Sequence, residues 1–354
     1  MPRVLSIQSH VVSGYVGNKS ATFPLQLLGW DVDVLNTVQF SNHLGYGHHG
    51  GSKMPVEHLI SCIDGLKQNG LLTYDALLTG IPCFFFGLLI LTALFYQDFL
   101  LLLFCLGFTP GPEGIDALLY SIHKIKTKNP NVTYLVDPVM GDDGKLYVSE
   151  QVPPKYKELL KLATIATPNE FEAQILTSHG TTTLPEIRDC LGAFHQMHGL
   201  QHIVITSISI SRSLVAHLDD VPPADSEGNV LICAGSTKQG EAWMIIFPKR
   251  SSRFDGVGDL FASILLGRLV SADPAAGLSQ AAELALASTQ GVMDRTTDQI
   301  APSHLPPSDM SLPSPQAHNA RHSELKIIQS RAMIESPSVR WKCRSFDAAL
   351  ASST

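Results

Sequence analysis

Short hydrophobic runs alternate with longer segments of helical spacing along most of the chain. The runs predict strands over 4–7, 31–40, 75–78, 133–136 and 202–205. Apolar residues spaced three and four apart predict helices over 21–28, 56–68, 115–126, 155–162, 186–197, 260–270 and 280–293. Strands that alternate with helices in this way indicate an α/β fold with a largely parallel sheet covered on both faces.

Polar segments follow the predicted strands, and this is where a parallel α/β sheet binds its ligands. The segments are Ser9, 42–47, Gly80, 137–142, 167–172 and 206–207. Because the carboxyl ends of parallel strands meet at one edge of a sheet, we expect these segments to form a single rim. Elsewhere, 219–240 is predicted to be a variable polar stretch and 300–322, with five prolines, a loop, followed by a helix over 323–336.

Composition narrows the possible classes of protein. The 354 residues contain 25 Lys+Arg against 32 Asp+Glu, and 44% are hydrophobic, so the chain is globular rather than disordered. A net charge of −7 argues against nucleic-acid binding, which requires a basic surface. The six cysteines are scattered, and the N-terminus lacks the pattern of a signal or transit peptide. We therefore expect a cytoplasmic protein.

The strongest local motif is Asp-Gly-Val-Gly-Asp at 255–259, followed at once by an apolar helix. Gly256 and Gly258 permit a tight turn that, with Val257, bares backbone N–H groups at the start of that helix, an arrangement that binds phosphate. Asp259 would then take a proton from an attacking hydroxyl. The alternative is that Asp259 is an acid that merely stabilises the helix start.

Two acidic segments accompany this motif. Asp137 and Asp142 follow a strand, where carboxylates can hold Mg²⁺ near nucleotide phosphates, although an acidic turn would look the same. Thr167, Asn169 and Glu172 lie where a strand end starts a helix. They could orient metal-bound water, or they could be a helix cap. The order of the three motifs along the chain favours the functional interpretation.

These motifs, together with several other segments, are similar to the pyridoxal kinase family of the ribokinase-like superfamily. The segments are 4–11 (VLSIQSHV), 14–18 (GYVGN), 38–43 (VQFSNH), 78–80 (LTG), 137–142, 167–172, 204–207, 256–262 and 324–330 (ELKIIQS). The resemblance covers nearly the whole chain and so implies a single ribokinase-like domain over 1–354. It implies a three-layer α/β/α sandwich with a mostly parallel central sheet.

The activity implied by the resemblance is transfer of the ATP γ-phosphate to the 5′-hydroxyl of pyridoxal, pyridoxine or pyridoxamine in vitamin B6 salvage. Asp259 would be the base, with Gly256, Val257 and Gly258 as the anion hole. Substrate contacts would come from Ser9, Leu44, Phe108 and Asp259. ATP contacts would come from Asp137, Asp142, Thr167, Asn169, Glu172, Thr206 and Ser207. Metal contacts, direct or through water, would come from Asp137, Asp142 and Glu172.

The resemblance further implies a homodimer that uses Mg²⁺ or another divalent cation and often a monovalent cation such as K⁺. The sequence departs from the family pattern at three single positions. Leu44 stands where a small polar residue is common, Val257 where Thr is common, and Phe108 where Tyr is common. Because the anion hole is formed by backbone N–H groups, which valine keeps, we expect Val257 in place of Thr to have a small effect on it.

A larger departure is the apolar segment of 27 residues at 81–107, which has no family counterpart. A membrane span is one interpretation, but Gln97-Asp98 interrupts it, and a charge near a bilayer centre is costly. A genuine apolar insert, which packs as a helical hairpin or mediates contact with a partner, is the second. Translated intron sequence is the third and the favoured one, and peptides from 81–107 in the mature protein would contradict it. If the segment is present, we expect poor solubility and weakened substrate binding.

Two alternative functions remain open at this point. One is another small-alcohol kinase of the same superfamily, of the hydroxymethylpyrimidine type. The other is an inactive, membrane-associated or scaffold relative, which the segment 81–107 favours and which the retained Asp259 disfavours.

Overall fold

The computed structural model describes residues 1–80, 84–85, 112–240, 242–271, 277–300 and 314–351. Its strands are β1 Arg3–Gln8, β2 Asp31–Asn36, β3 Val38–Phe40, β4 Gly51–Pro55, β5 Ala76–Thr79, β6 Phe84–Phe85, β7 Thr133–Val136, β8 Gly141–Asp142, β9 Lys145–Leu146, β10 Ile165–Ala166, β11 His202–Ser211, β12 Asn229–Thr237, β13 Trp243–Phe247 and β14 Arg344–Ser345. Its α-helices are α1 Asn18–Leu27, α2 Val56–Gln68, α3 Pro112–Lys128, α4 Val152–Leu160, α5 Glu170–Thr177, α6 Leu184–His198, α7 Val257–Ser271, α8 Gly277–Ile300, α9 Pro315–His322, α10 Arg331–Glu335 and α11 Phe346–Ala351.

The central sheet has nine strands in the order β14-β13-β12-β11-β10-β7-β5-β1-β2. The strands from β11 to β2 are parallel, whereas β12, β13 and β14 extend the sheet antiparallel. Strand order reverses along the chain between β1 and β5, so the carboxyl ends of the parallel strands open a crevice at one edge. The predicted α/β class with a mostly parallel sheet is confirmed.

Alternate residues of the central strands enter two separate hydrophobic cores. On β1, Leu5 and Ile7 pack with helices α2 to α6, whereas Val4 packs with α1, α7 and α8. On β7, Val136 and Leu135 divide between the same two cores. This alternation follows from the two-residue period of a strand, and it requires helices on both faces. The three-layer α/β/α sandwich is therefore confirmed.

A smaller three-stranded sheet, β3-β4-β6, lies beside the main one. The predicted strand 31–40 is divided at Thr37 into β2 in the large sheet and β3 in the small sheet. After β3 the chain forms a 3₁₀ turn, Leu44–Tyr46, and the side-chain Nε2 of Gln316 donates to the Gly45 carbonyl at 3.2 Å. Helix α9 thus contacts this turn from the far end of the sequence.

Three predictions for the polar stretches need correction. The loop predicted for 300–322 is wrong over 315–322, where α9 begins with Ser314 as N-cap and Pro315 in its first turn. The polar stretch 219–240 contains strand β12, because its second half is apolar enough to lie inside the sheet. The helix predicted over 323–336 is reduced to a 3₁₀ turn, Ile328–Ser330, followed by the short α10.

Segment 81–107 lies outside the described residues except for β6, which pairs in parallel with β4. Among the described residues, no helix is both long enough and apolar enough to span a membrane. The three interpretations of 81–107 therefore stay predictions.

Candidate active site

The loop Gly256–Gly258, which the sequence predicts to bind an anion and which is called here the anion loop, turns tightly at the start of helix α7. Gly256 has φ of 78°, a conformation that favours glycine, and a Cβ there would lie 2.1 Å from the Tyr15 carbonyl oxygen. Its own carbonyl accepts hydrogen bonds from the Leu260 N–H at 3.1 Å and the Ser20 hydroxyl at 3.0 Å. The turn is thus fixed on both sides, and Gly256, Val257 and Gly258 lie together at the start of the helix.

Asp259 lies in the first turn of α7, half-buried beside this loop. Its Oδ2 accepts the Gly17 N–H at 2.7 Å. The described residues make no other hydrogen bond to this carboxylate, which leaves Oδ1 available to a ligand. Burial raises the pKa of Asp259, and the hydrogen bond from Gly17 opposes that shift only in part. The group is held in place and made more basic than an ordinary Asp.

Ser9, the predicted substrate contact, packs closely against Gly17 and leaves no room there for a side chain. Gly17 has φ of 55°, and a Cβ there would lie 2.1 Å from the Ser9 carbonyl oxygen and 2.4 Å from its Oγ. The Ser9 carbonyl also accepts the Asn18 N–H at 2.8 Å. Ser9 and Asp259 therefore both lie close to the same glycine. Leu44 is 55% exposed on the 3₁₀ turn, and Phe108 lies outside the described residues.

Asp137 and Glu172 form a buried acidic pair next to the anion loop. Asp137 Oδ1 accepts the Thr167 hydroxyl at 3.3 Å, and a Cβ on Gly258 would lie 3.4 Å from its Oδ2. Burial, then the charges of Glu172 and Asp259, raise the pKa of Asp137 well above its usual range. Within the described part of the chain, no Lys or Arg forms an ion pair with any of these three acids. Among the described residues, negative charge on these acids is therefore not balanced by a paired cation, which agrees with their raised pKa values.

Glu172 is held by backbone donors. Its Oε1 accepts the Met140 N–H at 2.8 Å and its Oε2 the Asn169 N–H at 2.9 Å, while Asn169 Oδ1 accepts the Glu172 N–H at 2.9 Å. This is a complete capping box at the start of α5. Burial nevertheless raises the pKa of Glu172 to about 8. The helix cap that the sequence offered as one alternative for this motif is therefore present. The charge of Glu172 also contributes to the raised pKa of Asp137.

The remaining predicted nucleotide contacts lie along the same edge. Thr206 and Ser207 fall where the β11–β12 register shifts, and the Thr206 N–H donates to the Pro168 carbonyl at 2.9 Å. Asn169 Nδ2 donates to the Gly141 carbonyl at 2.8 Å, which ties the two acidic segments together. Asp142 is exposed on the β8–β9 hairpin, apart from the buried pair, and its charge contributes to the raised pKa of Glu172.

Comparison with known proteins places this geometry in a family. The phosphomethylpyrimidine kinase family model matches residues 116–291. The pyridoxal kinase of Arabidopsis thaliana is 37% identical over 350 residues, covering 97% of this chain and 94% of that protein. The pyridoxal kinase of Bos taurus is 33% identical, covering 95% and 96%. The chain belongs to the pyridoxal kinase family.

A solved structure supports the same membership. Pyridoxal kinase from Leishmania donovani in complex with ADP and pyridoxine matches with a TM-score of 0.73 and 29% identity, covering 96% of this chain and 98% of that one. The resemblance to the pyridoxal kinase family drawn from the sequence is thus confirmed. The description of the family model supports the pyrimidine-type alternative, whereas the two full-length relatives named above are pyridoxal kinases.

Sequence reasoning did not predict that four polar residues of this pyridoxal kinase family member form one group. His43, Tyr46, Asp255 and Glu324 come together beside the anion loop. Their positions span nearly the whole sequence, so no local spacing links them. The available signal was that the segments 38–43 and 324–330 both carry the family resemblance.

Proposed function

We propose that this chain is an ATP-dependent pyridoxal kinase, which transfers the γ-phosphoryl group of ATP to the 5′-hydroxyl of pyridoxal. The observation that carries the proposal is Asp259, placed beside a glycine anion loop in a chain whose full-length relatives are pyridoxal kinases. The product is pyridoxal 5′-phosphate. Pyridoxine and pyridoxamine, which carry the same hydroxymethyl group, are proposed as further substrates.

The geometry supports a direct, in-line transfer. Asp259 would accept the proton of the 5′-hydroxyl at Oδ1 while Gly17 holds Oδ2. The hydroxyl oxygen would form its bond to the γ-phosphorus as the bond from that phosphorus to the β–γ bridging oxygen breaks, releasing ADP. Backbone N–H groups of the loop Gly256–Gly258 would stabilise the charge on the transferring phosphoryl group.

The acidic pair fits a divalent cation. Among the described residues, no three His, Cys, Asp or Glu side chains converge enough to hold a metal unaided. This suits Mg²⁺, which keeps several waters and takes the rest of its ligands from substrate phosphates. We propose that Asp137 and Glu172, with Asp142 on the exposed hairpin, hold it directly or through water. When bound, the cation would neutralise charge on the phosphates.

The other site roles follow from position on the same edge. Thr167, Asn169, Thr206 and Ser207 would contact the nucleotide, and Ser9 the pyridoxal ring. Leu44 on its exposed turn would cover the ring from one side. The role of Phe108, the monovalent cation, the homodimer and the cytoplasmic location stay predictions. Sedimentation of the purified chain would test the dimer.

The deciding experiment is ATP- and Mg²⁺-dependent formation of pyridoxal 5′-phosphate by the purified chain. It should be run beside a version that lacks 81–107. We expect the shortened version to be active and, because it lacks the apolar segment that has no family counterpart, to bind pyridoxal more tightly than the full chain. Inactivity of both versions toward pyridoxal, with phosphorylation of a hydroxymethylpyrimidine instead, would replace the proposal with the alternative kinase.

The metal assignment makes its own prediction. Replacing Asp137 with Asn should raise the Mg²⁺ concentration needed for half-maximal activity by at least about tenfold, since a neutral amide is a weaker ligand for a hard cation. Titration of the initial rate with Mg²⁺ at saturating ATP measures the effect. The matched control is Asp189→Asn, an exposed acid on α6. An unchanged Mg²⁺ dependence would remove Asp137 from the metal site.

A further inference from the structure

The residues missed by sequence reasoning, His43, Tyr46, Asp255 and Glu324, are called here the Glu324 cluster. Glu324 lies just after α9, His43 caps the 3₁₀ turn Leu44–Tyr46, and Asp255 precedes the anion loop. The side chains of His43 and Glu324 are only 6% and 11% exposed. Two ionisable groups this well buried need mutual compensation.

Glu324 uses both carboxylate oxygens. Its Oε1 lies 3.2 Å from His43 Nε2 and accepts the Tyr46 hydroxyl at 3.1 Å. Its Oε2 accepts the Tyr15 N–H at 2.9 Å. A Cβ on Gly14 would lie 2.1 Å from Oε1, so the close approach of this carboxylate requires glycine there. One side chain near the C-terminus thus binds both the turn Leu44–Tyr46 and the loop 14–17.

Loop 14–17 contacts Glu324 and also contacts Asp259 and the anion loop. Two residues after Tyr15, the Gly17 N–H donates to Asp259 Oδ2 at 2.7 Å. The carbonyl oxygen of Tyr15 is the atom against which Gly256 packs, 2.1 Å from where its Cβ would be. The backbone of Tyr15 therefore lies between Glu324 on one side and the anion loop on the other.

We propose that Glu324 is a positioning residue: through its buried contact with His43 and the Tyr15 N–H, it fixes loop 14–17 against Asp259 and holds the turn Leu44–Tyr46 beside the site. Among the described residues, no hydrogen bond or ion pair joins Glu324 to Asp259 or to the anion loop. The expected change in kcat rests on the proposed function. The expected ordering of loop 14–17 by Glu324 does not depend on that function.

The charges around His43 suit this role. Nδ1 accepts the Gly45 N–H at 3.2 Å and lies 3.5 Å from Asp255 Oδ2, while Nε2 faces Glu324. Burial lowers the pKa of His43, but the hydrogen bond with Glu324 and the charges of Asp255 and Glu324 outweigh it, so the pKa is raised. The ring of Tyr46 packs edge-on against the imidazole, and Arg321 is the nearby cation that acts on Tyr46.

The pH dependence of the pair follows from both partners. Because the folded pKa of His43 is raised, its contribution to stability is complete below its ordinary value of 6.5 and is lost as pH rises through the folded pKa. The pKa of Glu324 is lowered: burial raises it, but the bonds from His43, Tyr15 and Tyr46 prevail. Its contribution is present above 4.5 and is lost as pH falls through the folded pKa. The contribution of the His43–Glu324 pair to stability is therefore complete between pH 4.5 and pH 6.5.

The test compares Glu324→Gln and Glu324→Ala with the control Glu335→Gln, a surface acid paired with Arg331 on α10. Hydrogen exchange at the amides of Tyr15 and Gly17 is the first readout, and we expect it to accelerate at least tenfold in both variants. The second is steady-state kinetics. We expect kcat to fall about 10- to 100-fold while KM for ATP changes less than threefold, since a misplaced base slows the chemical step.

A double variant keeps the test decisive if the single variants unfold. In His43→Gln with Glu324→Gln, two neutral amides can hydrogen-bond without a buried charge, so we expect exchange at Gly17 to return to within about threefold of the parent. Unchanged exchange at Gly17 in either folded single variant would overturn the inference, and so would exchange in the double variant that stays at least about tenfold faster than in the parent. If the parent chain does not phosphorylate pyridoxal, the proposed function fails instead, and exchange alone decides the role of Glu324.

Discussion

Replacing Asp259 with Asn is expected to lower kcat for pyridoxal phosphorylation by about 10³-fold. The amide has nearly the same volume, and its oxygen can still accept the Gly17 N–H, so the loop should keep its shape. The variant cannot accept the proton of the 5′-hydroxyl, which is the one function removed. Coupled assays of ADP release at saturating ATP and pyridoxal would measure the loss.

The matched control for this prediction is Asp189→Asn on the exposed face of α6, which should leave kcat within twofold of the parent. ATP binding by calorimetry should also survive in Asp259→Asn, because Asp259 is not proposed to contact the nucleotide base or ribose. A kcat reduced less than tenfold would contradict the general-base role and leave Asp259 as an acid that stabilises the start of α7.

Replacing Gly256 with Ala is expected to reduce kcat by about 10²- to 10³-fold, because it disturbs the N–H donors of the anion loop. The added Cβ would meet the Tyr15 carbonyl oxygen at 2.1 Å, and a φ of 78° costs a non-glycine residue about 1–2 kcal/mol. The loop must shift to relieve both. Initial rates together with thermal unfolding would show how much of the loss is local.

Gly192→Ala provides the comparison. Gly192 lies inside α6 with no atom within 4 Å of its would-be Cβ, so alanine should be neutral or stabilise the helix by about 0.5–1 kcal/mol. Activity should not change. If Gly256→Ala remained folded with the parent's kcat, the loop Gly256–Gly258 would not be the phosphoryl-binding element.

Strongly periodic segments were predictable from the sequence alone. Helix α2 and strand β7 have the bounds predicted for them, because their apolar residues repeat with the period of one element and enter a core. The anion loop was predictable for a related reason: two glycines and an acid within four residues form a local motif. Family resemblance then supplied the roles that spacing alone left open.

The errors arose where sequence composition and tertiary context disagree. Strand β12 was hidden because a polar, proline-containing stretch precedes it, although its later residues are buried in the sheet. Helix α9 was hidden by the prolines that precede it and by Pro315, yet a proline in the first helical turn is compatible with a helix. The Glu324 cluster depends on contacts between the two ends of the chain, which no local pattern contains.

Natural variants of Glu172 and of Asp259 should impair the protein in different ways. Glu172 is part of the acidic pair and also the residue whose side chain closes the capping box of α5, so its loss removes a hydrogen bond that stabilises the helix start as well as a charge. Asp259 instead accepts the N–H of Gly17, which lies outside its own helix. In a cell, variants at 172 would therefore lower the amount of folded protein, whereas variants at 259 would leave a normal amount of slow enzyme.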